Sequence, residues 1–96
     1  MAEWEIVRIQ MKARNEGVVF VTQFRWWEAR QSTTKGEFVI AKGEEYRLQG
    51  QGYSPEFREL ESAMYSKLLS TLLSQGWEPV GTDEHGLVIT LKRLKS

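Results

Sequence analysis

Residues 54–81 read SPEFRELESAMYSKLLSTLLSQGWEPVG. Ser54 is an N-cap residue, Pro55 suits the first helical position, and Glu56 complements the positive end of a helix dipole. Phe57, Leu60, Met64, Leu68 and Leu72 recur at three- and four-residue spacing, and Leu69 and Leu73 widen the stripe. Gly76 supplies a left-handed C-cap, after which Trp77 can fold back onto the final turn. The spacing predicts one helix over about residues 55 to 75. The remaining face, with Arg58, Glu59, Glu61, Ser62, Ser66, Lys67, Ser70 and Thr71, is polar and solvated. A single amphipathic helix draws its stability from what its stripe packs against. Here that has to be a sheet built from the rest of the chain.

Strand signals surround the helix. Downstream, Trp77 to Val80 begins a strand in which Pro79 needs a position without a ladder donor. Thr82 to Gly86 is a turn, and Leu87 to Leu94 alternates as a final strand. Upstream, Val7, Ile9 and Met11 share one face of a first strand; Trp4, Ile6, Arg8, Gln10 and Lys12 share the other. Arg14-Asn15-Glu16-Gly17 reads as a four-residue hairpin loop, and Val18 to Arg30 as a long second strand. After a polar loop ending at Gly36, Glu37 to Lys42 forms a short third strand. In residues 43 to 53, Tyr46 and Leu48 either add a short edge segment or anchor the loop.

The four-residue loop sets a register. Pairing Ala13 with Val18 puts Met11 beside Phe20, Ile9 beside Thr22 and Val7 beside Phe24, a consistently apolar face. The outer face then carries Trp4 opposite Trp27, Ile6 opposite Arg25 and Arg8 opposite Gln23. A three-residue loop with a glycine bulge would slip this by one residue and put Arg25 beside Val7. The expected architecture is one α+β domain over residues 1–96, in the order β-β-β-α-β-β. Its mostly antiparallel sheet of four to five strands carries the helix on one face.

Composition narrows the function. No apolar run approaches the ~20 residues of a membrane-spanning helix. The acidic start, Met1 to Glu5, reads unlike a signal peptide. With no cysteine there is no disulfide, thiolate metal site or cysteine nucleophile, which fits a reducing cytoplasm. The net charge of zero lacks the basic excess of most nucleic-acid binders. His85, the single histidine, lies among Asp83, Glu84 and Gly86, residue types that turns favour and that cannot converge on one ion there. Ser32, Thr33 and Thr34 have no recognisable base beside them, and the glycines of 43 to 53 lack a phosphate-loop ending. The sequence therefore predicts no catalytic residue, metal or cofactor.

Aromatic residues carry the functional signal. Adjacent Trp26 and Trp27 must point to opposite faces of a strand, one of them into the core. With Trp27 on the outer face beside Trp4, Arg8 and Arg25, these four become the candidate binding residues. Three readings of that face compete: cover by the 43 to 53 segment, association with a second copy or another protein, and a stacking platform for nucleobases. Self-association as a homodimer is the leading expectation. A ligand- or nucleic-acid-binding module is its alternative.

Leu68, Leu72, Gly76, Trp77, Glu78, Val80 and the ending Leu91-Lys92-Arg93 resemble small bacterial domains of unknown function. In those domains a Leu-rich helix ends in Gly-Trp-Glu-x-Val before a terminal hairpin. Trp4-Glu5-Ile6-Val7 is similar to their opening strand. The resemblance covers about half the chain and implies a fold and a bacterial, cytoplasmic protein. It implies no site residues, and the long 18 to 30 strand and the 43 to 53 segment depart from it.

Overall fold

A computed structural model of the chain describes residues 3–48 and 55–95. Strands β1 (Trp4–Glu16), β2 (Thr22–Thr33), β3 (Gly36–Lys42) and β4 (Tyr46–Arg47) precede helix α1 (Pro55–Ser74), and β5 (Glu78–Thr82) and β6 (Val88–Leu94) follow it. All pairings are antiparallel, in the order β3-β2-β1-β6-β5, with β4 on β2. The expected α+β architecture holds, with the short β4 as a sixth strand. The Ser54 cap, Gly50 and Gly52 lie outside the described residues.

The core forms where the helix stripe meets the sheet. Val7, Ile9, Ala29 and Leu91 rise from β1, β2 and β6 against Tyr65, Leu68 and Leu72, and Trp77 closes one end. Leu72 is fully buried, a contribution of about 1.5–3 kcal/mol. The buried stripe is rotated from the expected one, since Tyr65 joins it while Leu60 and Leu73 stay exposed. The Tyr65 hydroxyl reaches past the core to donate to the Val88 carbonyl at 2.6 Å. At the helix end, Trp77 N–H bonds Leu72 O at 3.2 Å and Gly76 N–H bonds Leu73 O at 3.1 Å. Gly76 has φ of 90°, so these bonds complete the anticipated left-handed cap.

The β1–β2 hairpin differs most from expectation. Val7 pairs with Gln31, Ile9 with Ala29, Met11 with Trp27 and Ala13 with Arg25, and the ladder runs on to Glu16 and Thr22. Both the four-residue loop and the Ala13–Val18 register are therefore corrected. Arg14, Asn15 and Glu16 are held in the strand by their cross-strand neighbours: Arg14 lies 4.7 Å over the Phe24 ring, and Gln23 donates to the Asn15 side chain at 3.2 Å. The connection is instead Gly17 to Val21. Gly17 has φ of 98°, and a Cβ there would stand 2.2 Å from the Phe20 carbonyl oxygen. Only glycine lets the chain close this way.

The longer hairpin projects from the domain. The structure measures 55 × 28 × 23 Å, and its radius of gyration is 15.3 Å. A rounded domain of this length would have about 12–13 Å. On one side β1 pairs with β2 over Val7 to Glu16; on the other it pairs with β6 over Trp4 to Arg8 alone.

Candidate interaction surface

The new register divides the four predicted residues between two faces. Trp4 and Arg8 stand on the open face, away from α1, whereas Arg25 and Trp27 stand on the helix-covered face. Trp27 packs edge-on against Tyr65, with ring centroids 5.2 Å apart, and its Nε1–H donates to the Glu61 carbonyl at 3.1 Å. Arg25 hydrogen-bonds the Gln23 side chain at 2.8 Å, pairs with Glu61 at 3.5 Å and lies over the Phe57 ring. These two residues join the sheet to the helix. Their placement on one outer surface with Trp4 and Arg8 is corrected by the seven-residue shift in pairing, an odd number, which exchanges the two faces of β2.

Trp26 takes the open-face place instead. Its Nε1–H donates to Glu28 at 2.8 Å, and the Lys42 ammonium lies 4.7 Å above its ring. Glu28 is only 4% exposed and is the buried charged side chain among the described residues. Burial would raise its carboxyl pKa, but hydrogen bonds from Arg30 and Trp26, with the charges of Arg30 and Lys12, outweigh that and hold it low. Trp4 is likewise covered by Lys92 at 4.2 Å, as Phe24 is by Arg14. The open face is thus aromatic and basic, with each ring already carrying a cation of its own chain. Arg8 and Arg47 enter no ion pair among the described residues.

The hairpin tip carries the largest uncovered apolar surface. Val18, Val19, Phe20 and Val21 are 96, 82, 87 and 62% exposed. Sequence reading assigned these four to a strand interior because their β-propensity is high. The loop that exposes them depends on cross-strand contacts of Arg14 and Asn15, which no local pattern displays.

Two further features adjoin the arm. From Met11 to Asn15, one edge of β1 has no backbone partner among the described residues. On the helix side, a cleft of about 450 Å³ is lined by Trp27, Arg58, Glu61, Ser62, Tyr65, Ser66 and Leu87. Its two sheet-side walls, Trp27 on β2 and Leu87 before β6, flank β1 just beyond its last pair with β6. Tyr46 braces the other side of the arm: its ring lies 5.9 Å from Phe57, its hydroxyl contacts Met11 Sδ at 3.8 Å, and burial, aided by Glu61, pushes that hydroxyl up to about 12.

Among the described residues no group of three His, Cys, Asp or Glu side chains could hold a metal ion, and no helix is long and apolar enough to cross a membrane. His85 lies in a turn whose Asp83 carboxylate accepts the backbone N–H groups of His85 and Leu87, both at 2.9 Å. No family model, curated protein or solved structure matches the chain.

Proposed function

We propose that this chain is a small non-catalytic interaction protein of the bacterial cytoplasm that self-associates through its projecting β1–β2 arm. The observation that carries the reading is the run of four bare apolar side chains at the tip. Burying one such side chain is favourable by about 1.5–3 kcal/mol, and contiguous exposed apolar surface of this kind marks interaction sites. The absence of cysteine agrees with a reducing compartment. Light scattering over a concentration series tests the reading: a mass moving from one chain toward two supports it. A mass that stays at one chain up to millimolar concentration rejects it.

A second reading has its own support in the open face, where Trp4, Trp26 and Phe24 lie among Arg8, Lys12, Arg14, Arg30, Lys42, Arg47 and Lys92. A single-stranded nucleic acid could stack there once the covering cations swing onto its phosphates. Tryptophan fluorescence titrated with oligonucleotides at low salt decides this case. Binding that weakens steeply with added salt favours it, and a flat signal at low salt removes it.

A further inference from the structure

We infer that the partner of the arm is a second copy of this chain, bound by strand addition: the open edge of β1 pairs antiparallel with the same edge of the other copy, and each apolar tip docks at the cleft of its neighbour. This rests on the self-association proposed above and specifies its geometry.

The backbone supplies the first argument. Lys95 N–H donates to Glu3 O on the β6 side of β1. Strand alternation then turns the N–H and C=O groups of Met11, Ala13 and Asn15 to that same side, beyond Val88, the first residue of β6, which the register sets opposite Gln10. About 16 Å of edge, at ~3.3 Å per residue, is therefore left without a backbone partner among the described residues. An exposed edge of this length is a template for another strand. Pairing it with itself is self-complementary across a two-fold axis, and the small Ala13 sits at the centre of the open window.

The lengths supply the second. The window starts at Met11 and ends at Asn15, and the tip begins two residues further on, at Gly17. An antiparallel register that fills the window sets residue 15 of one copy opposite residue 11 of the other. The tip of each arm then arrives beside Leu87 of its neighbour, at the mouth of the cleft walled by Trp27 and Tyr65. An apolar projection and an apolar recess thus meet as a consequence of the strand pairing. Main-chain bonds along an edge with side chains entering an adjoining pocket is a recurring mode of recognition.

Hydrogen exchange of the wild-type amides, followed by NMR at high and low concentration, tests the edge directly. Met11, Ala13 and Asn15 amides are expected to be protected in proportion to the dimer fraction and to lose that protection on dilution. Because the chain has no cysteine, Ala13→Cys provides a single thiol. Facing residues in a ladder lie about 5.5 Å apart, inside disulfide range, so mild oxidation should give a covalent dimer. Lys67→Cys, on the exposed side of α1, should cross-link far less. If light scattering shows a dimer while those three amides exchange equally fast at every concentration, strand addition is wrong and self-association stands. If the protein is monomeric throughout, both fall.

Discussion

Replacing Phe20 by serine separates the interface from the fold. Phe20 is 87% exposed in the single chain, so its ring contributes almost nothing to folding, and the change should alter stability by no more than about 0.5 kcal/mol. The part of Phe20 that shapes the loop is its carbonyl oxygen, which closes over Gly17 and is kept in serine. In a two-fold dimer the ring is buried twice. At about 1.5–3 kcal/mol per side chain the loss is about 3–6 kcal/mol, and at 1.4 kcal/mol per tenfold the dissociation constant rises about 10²- to 10⁴-fold. Sedimentation equilibrium over a dilution series measures that constant, and a urea melt below it reports the fold. An unchanged dissociation constant would refute the reasoning. So would a monomeric wild type that Phe20→Ser destabilises by about 2 kcal/mol, because the ring would then belong to the fold.

Trp27→Ala, assayed by urea unfolding, should cost about 3–5 kcal/mol, since it removes the Tyr65 contact and the bond to Glu61. Trp4→Ala, measured alongside, should lose about 1 kcal/mol or less, because an exposed ring under a lysine is worth little more. A large loss at Trp4 with a small one at Trp27 would reverse the assignment of faces. Glu28 titrates below its ordinary carboxyl value, so its contribution is present above pH 4.5 and is lost as the pH falls through the lowered value. Glu28→Gln should flatten that acid limb of a stability–pH curve, and an identical limb in both proteins would contradict the pairing with Arg30. Gly76→Ala has room for a methyl group, with Arg93 Cδ at 3.7 Å, yet it forces a left-handed residue. Denaturant unfolding should show a loss of about 1–2 kcal/mol, and no loss would mean that the cap relaxes.

Helix and strand existence was readable because the signals were local. The stripe from Phe57 to Leu72, the Gly76 cap and the alternation of Val7, Ile9, Leu91 and their neighbours depend on residues within one or two turns or pleats. The helix, β3, β5 and β6 formed close to their expected bounds, whereas β1 runs on to Glu16 and β2 starts only at Thr22. The candidate site was far less readable. Trp4 and Arg8 were placed correctly on the open face, because their own strand defines that face. Trp27 and Arg25 were not, because their face follows from the distance between two strands, set by which polar residues stay paired near the tip. Gln23, Arg25 and Gln31 look solvent-facing in sequence, which masked the fact that Ala29 on the same face is buried in the core and that Trp27 packs against it.

What the amino-acid sequence determined alone is the inventory: one capped amphipathic helix, several alternating strands, and too little apolar surface on the helix to be stable without the sheet. Periodicity and capping are short-range, so a chain read from end to end displays them. The tertiary structure decided the register of the first hairpin, and with it three consequences: Trp27 packed against the core on the helix side, a β1 edge left open, and four apolar residues bare at the tip. Register is a competition between alternative long-range pairings. Here Gly17 against the Phe20 carbonyl, with Arg14 stacked on Phe24, outweighed the strong strand propensity of Val18 to Val21.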